Sequence, residues 1–266
     1  MYKAIFLDLD GTLLDNEKKI SEENIGAIEK AKERGALVCI CSGRQIDITR
    51  NFKEMAHASK YFICSNGAII YDDDSHEVLF EASIDKDFCR KVYYYAENNN
   101  IVARFDTKYG RFVNNDSLNV STEVLLTEGI DKFLEEFNVI QLSIAGHSFE
   151  EIDKAIEALD IENSKTVQIG NRYSEVFPFN YCCINCLNKS VSKGNAIIGL
   201  CKYLKIDIKD VIAMGDELND LSMIEVAGLG VAMGNAFDEV KQIANEVTKT
   251  NVEDGVAHII NKYILN

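Results

Sequence analysis

The chain has 266 residues, of which 47% are hydrophobic, as in ordinary globular proteins, and this length allows one large domain or two modest ones. Its 43 acidic and 28 basic residues give a formal net charge of −15, which argues against binding to nucleic acid or to an anionic membrane. There is no run of about 18 apolar residues to predict a transmembrane helix and no signal peptide before the first strand, so we expect a cytoplasmic protein.

The first predicted element is a strand that ends in two carboxylates. The continuous apolar run Ala4–Leu7 is typical of a central parallel strand covered on both faces. Asp8 and Asp10 follow it, and their i, i+2 spacing can direct both side chains into one small site. Gly11 then breaks the strand, and Thr12 can close the turn or donate to an anion. Alone, such a motif is also common in hairpin turns.

Two more apolar strands follow, Leu37–Cys41 and Tyr61–Cys64, with a predicted helix over residues 21–35 before the first of them. This strand and helix alternation predicts a parallel, doubly wound sheet. Both strands run into small polar loops, which contain Ser42, Gly43, Arg44 and Asn66. The hydroxyl and the backbone amides of the first loop suit an anion, although its serine can equally cap a helix.

The alternation breaks near residue 80, where residues 69–71 and 78–80 predict an antiparallel hairpin. Residues 84–186 then mix helices with antiparallel strands, which indicates an inserted α+β domain. We therefore expect a core of residues 1–83 and 187–266 around an insertion of residues 84–186. Within the insertion we predict helices at 85–99, 130–137 and 148–159, strands at 101–106, 110–113 and 139–145, and further strands up to residue 186.

The parallel pattern returns at Ser190 with a helix whose apolar residues recur over 196–204, and with apolar strands at 211–214 and 229–233. Lys193 lies in the first turn of that helix, where the helix dipole disfavours a cation. A bound phosphate would remove this conflict, and a solvated lysine is the alternative. The strand at 211–214 ends in a loop that contains Asp216, Asn219 and Asp220.

Because the carboxyl ends of parallel strands share one edge of a sheet, we expect Asp8, Asp10 and Asp216 to meet there, with Ser42 and Lys193 nearby. Three oxygen ligands suit octahedral Mg²⁺. A cation, a lysine and hydroxyl or amide donors together suit a phosphoryl group. One carboxylate can then attack phosphorus while the other transfers a proton.

The motifs Asp8-Leu-Asp-Gly-Thr12, Ser42-Gly-Arg44, Lys193-Gly194 and Gly215-Asp-x-x-Asn-Asp220, in this order, resemble the four motifs of the haloacid dehalogenase superfamily phosphatases. The large insertion and the segments at residues 65–68 and 251–256 resemble the Cof-type branch of that superfamily. The resemblance implies an α/β fold, in which a Rossmann-like doubly wound parallel sheet carries an inserted α+β cap that closes over the site and selects substrates.

The resemblance also implies a role for each motif residue. Asp8 would be the nucleophile and Asp10 the general acid and base. The implied Mg²⁺ ligands are Asp8, Asp10 through its carbonyl, and Asp216, with Asp220 supporting the metal shell. The implied phosphate-binding residues are Ser42, Gly43, Lys193 and Asn219. Candidates for contact with the rest of the substrate are Thr12, Arg44, Asn66, Arg104, Lys108, Arg111, Arg172 and Tyr173, of which those in the insertion can alternatively be solvated or packed surface residues.

The activity that the resemblance implies is Mg²⁺-dependent hydrolysis of small phosphate monoesters, such as sugar phosphates or the cofactor phosphates FMN and PLP, through an aspartyl phosphate. Two alternatives stay open. A phosphomutase, or phosphosugar isomerase, would use the same nucleophile, and a non-enzymatic phosphate or metal sensor would keep the fold. The presence of both Asp8 and Asp10 argues against a sensor.

The eight cysteines lie mostly in apolar runs, where a reduced thiol behaves as a small buried hydrophobe. Cys183 and Cys186 form an isolated CxxC pair, with neither a second pair nor a neighbouring histidine, so a zinc site is not expected. The sequence gives no function to these two residues or to Cys182.

Overall fold

The computed structural model describes residues 2–115, 123–172 and 182–266. The chain forms two compact units, one made of Met1–Phe80 with Ser192–Asn266 and the other of Glu81–Val191. In the described residues no helix is both long and apolar enough to cross a membrane.

The strands are β1 (Ala4–Leu7), β2 (Leu37–Cys41), β3 (Tyr61–Cys64), β4 (Ile69–Asp72), β5 (Glu77–Glu81), β6 (Val102–Thr107), β7 (Gly110–Val113), β8 (Glu123–Leu125), β9 (Gln141–Gly146), β10 (Val167–Arg172), β11 (Cys182–Asn188), β12 (Val211–Gly215), β13 (Leu229–Ala232) and β14 (Glu246–Val247). The helices are α1 (Glu22–Glu33), α2 (Ile46–Met55), α3 (Lys86–Asn99), α4 (Ile130–Glu136), α5 (Phe149–Ala158), α6 (Lys193–Leu204), α7 (Leu221–Val226), α8 (Asp238–Ile243) and α9 (Gly255–Ile260).

The first unit is built on a sheet with the strand order β14-β13-β12-β1-β2-β3-β4-β5. Strands β14 to β3 are mutually parallel, and β4 returns antiparallel to β3. Every residue of β1 is fully buried, as expected for a central strand with both faces covered. Later strands add on opposite sides of β1, so the sheet is doubly wound, which confirms the predicted fold class.

Helices α1 and α6 begin at serine caps. Ser21 Oγ accepts a hydrogen bond from Asn24 N at 3.1 Å, and two glutamates occupy the first turn of α1, where the helix dipole favours negative charge. Ser192 caps α6 in the same way, so that Lys193 becomes the first residue of the helix. The serine therefore fixes where this lysine enters the fold.

The second unit contains a sheet with the order β10-β11-β9-β6-β7-β8. Its neighbouring strands are antiparallel except β7 and β8, which are parallel. Strand β8 has three residues, too few for an alternating pattern to predict it from sequence. The strand predicted at 139–145 is observed at Gln141–Gly146, and the two residues before it, Val139 and Ile140, are buried.

No cysteine in the described residues takes part in a disulfide bond. Cys183 and Cys186 are buried, and burial raises the pKa of Cys186 to about 12. A thiol with such a pKa stays neutral at physiological pH and is a poor nucleophile. These residues therefore act as small apolar side chains in the second unit.

The close approach of α6 to α7 gives a stability prediction. A Cβ atom added at Gly194 would lie 2.3 Å from the Ser222 carbonyl oxygen, whereas one added at Gly199 on the same helix would meet only Ile70 Cδ1, at 3.7 Å. Gly194→Ala should lower the free energy of unfolding by about 1–3 kcal/mol through overpacking. Gly199→Ala, the matched control, should raise it by about 0.5–1 kcal/mol. Urea denaturation measures both, and equal effects would contradict the packing described.

Candidate active site

The strand order brings three loops to one edge of the first unit's sheet. Strand β1 lies between β2 and β12 and is parallel to both. Asp8, Ser42 and Asp216 each follow directly on one of these strands. The carboxyl ends of strands at such a reversal of strand order are the usual ligand-binding position in doubly wound sheets.

A buried lysine occupies the centre of this edge. Lys193 Nζ lies 2.5 Å from Asp8 Oδ1 and 2.6 Å from Asp220 Oδ1. The side chains of Lys193 and Asp220 are fully buried, and that of Asp8 is 8% exposed. A buried ammonium group is tolerated only when carboxylates or other acceptors compensate its lost hydration. Lys193 is therefore an internal cation, and the alternative of a solvated surface lysine is wrong.

Asp220 also shapes the loop that follows β12. Its Oδ2 accepts hydrogen bonds from the backbone nitrogens of Asp216, at 2.9 Å, and Glu217, at 3.0 Å. Thr12 Oγ1 donates to Asp216 Oδ1 at 2.7 Å. Gly11 has φ of +80°, and a Cβ there would lie 2.1 Å from Asp216 Oδ2. Only glycine therefore allows the loop after β1 to approach this carboxylate.

Three acidic side chains form a cluster with the geometry of a metal site. Asp8, Asp216 and Asp220 are buried, and each offers a carboxylate oxygen within 4.8 Å of the other two. Burial, together with Asp220 and Glu217, raises the pKa of Asp216 to about 7 despite the hydrogen bond from Thr12. Burial also raises the pKa of Asp8, with Lys193 opposing the shift and Asp220 adding to it. This donor set of hard oxygens fits a divalent cation, which would stabilise the ionised carboxylates.

The environment of Asp10 lowers its pKa, in contrast to the environments of Asp8 and Asp216. Its carboxylate accepts two hydrogen bonds from Arg44, from Nε and Nη2, both at 2.7 Å, and a third from Lys18 Nζ at 2.7 Å. Partial burial raises its pKa, but these hydrogen bonds outweigh burial and lower the pKa to about 2. Asp10 is thus ionised at neutral pH in this structure, and it lies outside the cluster of Asp8, Asp216 and Asp220.

Polar groups from the loops after β2 and β3 adjoin one another. Ser42 is buried, its Oγ accepts from Arg44 N at 3.1 Å, and its carbonyl accepts from Asn66 N at 3.1 Å. Asn219 Nδ2 donates to Asn66 Oδ1 at 3.0 Å. A Cβ at Gly43 would lie 2.9 Å from that same Asn66 oxygen. These contacts bring Ser42, Gly43, Asn66 and Asn219 together, as a phosphate-binding site would require.

The remaining predicted substrate residues belong to the second unit. Arg104 and Arg111 lie on β6 and β7, and Arg172 is the last residue of β10. Lys108 is ion-paired with Glu81, at 3.1 Å. Tyr173 lies outside the described residues.

Sequence reasoning missed two side chains of the candidate site. Lys18 contacts Asp10, yet it stands eight residues away in a polar turn that has no distinguishing pattern. Asn235 Nδ2 donates to the Gly11 carbonyl at 2.7 Å, and its Oδ1 accepts from Asn251 N at 2.9 Å. Asn235 could have been predicted from its position after Gly234, in the polar loop that follows the apolar strand at 229–233.

The chain is similar along nearly its whole length to known enzymes. A model of the haloacid dehalogenase-like hydrolase family matches residues 5–260. The 5-amino-6-(5-phospho-D-ribitylamino)uracil phosphatase YcsE of Bacillus subtilis is 34% identical, covering 99% of this chain and 96% of the relative. The phosphoglycolate phosphatase of Methanobrevibacter smithii is 28% identical, covering 98% of each chain. A crystal structure from Thermotoga maritima, 26% identical, superposes with a TM-score of 0.85 over 100% of both chains.

The buried lysine gives a prediction that does not depend on activity. Lys193→Met leaves Asp8 and Asp220 without their cation and should cost about 3–5 kcal/mol at pH 8 in the presence of chelator. The loss raises the pKa of Asp8 in the folded state further above its unfolded value, because Lys193 no longer opposes the effect of burial. The variant therefore loses stability relative to the parent as the pH rises. Its loss of unfolding free energy should be smaller at pH 5 than at pH 8.

Urea denaturation at the two pH values measures this effect. The matched control is Lys202→Met, which removes an exposed lysine from the same helix and should change stability by less than about 0.5 kcal/mol. Equal stability of the two variants at pH 8 would contradict the role given to Lys193.

Proposed function

The chain belongs to the haloacid dehalogenase-like hydrolases, in their Cof-type branch, and is a phosphatase; from that premise we propose that it hydrolyses phosphate monoesters of small molecules with Mg²⁺, through an aspartyl phosphate on Asp8. The observation that carries the proposal is the buried cluster of Asp8, Asp216 and Asp220, in which Asp8 and Asp220 contact Lys193 Nζ. Small esters are supported by the names of the relatives, which are phosphatases of phosphoglycolate and of a phosphoribitylamino-uracil.

The cation would be held by Asp8 and Asp216, with the Asp10 carbonyl as the further ligand that the family resemblance implies and Asp220 supporting this shell. Carboxylate oxygens favour Mg²⁺ over softer metals. When bound, Mg²⁺ supplies charge neutralisation for the phosphoryl oxygens. Ser42 and Asn219 would bind the phosphoryl group by hydrogen bonds, and Lys193 by its positive charge.

Asp8 is the nucleophile in this proposal. Its carboxylate oxygen forms a bond to phosphorus while the bond between phosphorus and the ester oxygen breaks. Burial favours the neutral, unreactive acid, and Lys193 counteracts this by favouring the ionised form. Lys193 thus favours the reactive form of a buried nucleophile.

Asp10 transfers the protons. It would protonate the leaving ester oxygen in the first step and accept a proton from water in the second, when water attacks phosphorus and the bond to Asp8 breaks. A carboxylate with a pKa of about 2 carries no proton at neutral pH. The acid role therefore requires that the hydrogen bonds from Arg44 and Lys18 to Asp10 break when substrate is bound.

We assign substrate selection to the second unit, Glu81–Val191. The residues proposed for chemistry all lie in Met1–Phe80 and Ser192–Asn266. The residues that transfer the phosphoryl group need no contact with the rest of the substrate. A separate unit can supply those contacts. Residues Arg104 and Arg111 of its sheet are the candidates.

Metal dependence is the first test. Asp216→Asn should lose phosphatase activity as chelation does, because a neutral amide replaces a charged ligand. In the parent, Mg²⁺ should raise the melting temperature, since a ligand that binds only the folded state stabilises it. That shift should be absent in Asp216→Asn and kept in Asp238→Asn, whose aspartate is exposed on α8. Full turnover in excess chelator would contradict the metal site.

The second test separates the two acids by kinetics. Asp8→Asn should abolish turnover of every ester, because an amide cannot accept the phosphoryl group. Asp10→Asn should slow an alkyl phosphate by about 10²- to 10⁴-fold, the typical effect of lost proton transfer. With p-nitrophenyl phosphate, whose leaving group needs no proton, the first step should keep its rate in a stopped-flow burst. Equal loss of that burst in both variants would refute the division of roles.

A further inference from the structure

The turn after β3 has an unusual backbone. Ser65 and Asn66 have φ of +50° and +57°, in the left-handed region that asparagine tolerates and serine rarely adopts. Two hydrogen bonds hold this turn against the loop after β2: Ser65 N donates to the Arg44 carbonyl at 2.8 Å, and Asn66 N donates to the Ser42 carbonyl at 3.1 Å. Such a backbone persists only where the surrounding structure enforces it, and it is common at ligand-binding sites.

The Asn66 side chain contacts a loop from a distant strand. It is 8% exposed, and its Oδ1 accepts a hydrogen bond from Asn219 Nδ2 at 3.0 Å. Asn219 follows β12, and in the sheet β1 and β2 lie between β12 and β3, which are therefore about 14 Å apart. The two loops must lean toward each other across the ends of β1 and β2, which lead to Asp8 and Ser42.

This hydrogen bond determines how the Asn219 amide is turned. Its Oδ1 is buried without a hydrogen-bond partner in the part of the chain that the structure describes. The oxygen and nitrogen ends of an amide have nearly the same shape, so packing alone does not distinguish them. Asn66 Oδ1 can only accept a hydrogen bond, and it therefore selects the nitrogen end of Asn219. The second hydrogen on Asn219 Nδ2 is left for another acceptor.

A phosphoryl group requires an amide in this orientation. Its oxygens are acceptors, so an N–H group binds them and an amide oxygen repels them. If the Asn66 side chain were removed, the Asn219 amide could rotate by half a turn and present its oxygen instead. The contact between these two asparagines therefore decides whether Asn219 acts as a donor or an acceptor.

We propose that Asn66 is a positioning residue for phosphate binding: it holds the Asn219 amide so that one N–H group stays available to the phosphoryl oxygens. Asn66 needs no contact with the substrate for this role. Its own backbone is fixed by the hydrogen bond to Ser42, so its side chain meets Asn219 from a constant position. This inference rests on the proposed function, since it concerns the phosphoryl-binding residues of that phosphatase.

Binding of inorganic phosphate to the full chain in the presence of Mg²⁺, measured by isothermal titration calorimetry, tests the inference. Asn66→Gly removes the acceptor and suits the left-handed backbone, and it should raise the dissociation constant of phosphate about tenfold. The matched control is Asn100→Gly, which removes an exposed asparagine with φ of +54° at the end of α3 and should leave the constant unchanged. Melting temperatures report whether each variant folds. An unchanged constant in Asn66→Gly would overturn the inference.

A double-mutant cycle separates positioning from a general structural effect. Asn219→Ala should also raise the dissociation constant about tenfold, and adding Asn66→Gly to it should raise the constant no further, because Asn66 acts only through Asn219. A structural effect would instead make the two changes additive. Additive effects, or no effect of Asn219→Ala, would overturn the inference while leaving the proposed function intact.

The parent protein distinguishes failure of the inference from failure of the proposed function. A parent that hydrolyses p-nitrophenyl phosphate but binds no inorganic phosphate would overturn the inference alone. A parent that neither binds phosphate nor hydrolyses this ester would contradict the proposed function.

Discussion

The site depends on one buried cation. Lys193 Nζ is shielded from water and is satisfied by Asp8 and Asp220, which come from distant parts of the chain. The strand order places both carboxylates beside the helix that begins at Ser192. Burying this charge is favourable only while both carboxylates are ionised and close to it. The stability of the fold and the proposed chemistry therefore require the same arrangement of Lys193, Asp8 and Asp220. The ammonium group that stabilises the interior also favours the ionised form of the nucleophile, against the effect of burial.

Two aspartates separated by one residue have opposite environments. Asp8 is buried beside other carboxylates, and burial raises its pKa. Asp10 is partly exposed, and Arg44 and Lys18 lower its pKa to about 2. Enzymes that use two carboxyl groups for different steps commonly separate them in this way. In our proposal Asp8 forms a bond to phosphorus and Asp10 transfers protons. Asp10 can act as an acid only when substrate binding breaks its hydrogen bonds to Arg44 and Lys18.

The sequence predicted the doubly wound core well, because apolar runs such as Ala4–Leu7 lack alternation and end in polar loops that must share one edge. It could not predict contacts that depend on side-chain packing across the fold, such as Lys18 with Asp10 or Asn219 with Asn66. The pairing of Gln141, Asp106, Arg111 and Glu123 across the sheet of the second unit was also not predicted, because periodicity alone does not fix strand register.

The central claim is that Asp8 carries the phosphoryl group, and trapping that group tests it most directly. The Asp10→Asn variant should form the aspartyl phosphate from p-nitrophenyl phosphate and hydrolyse it slowly, because the second step lacks its base. After acid quench and proteolysis, mass spectrometry should show one added phosphoryl group on the peptide that contains Asp8. A phosphoryl group on any other residue, or multiple-turnover phosphate release without a labelled peptide, would contradict the account.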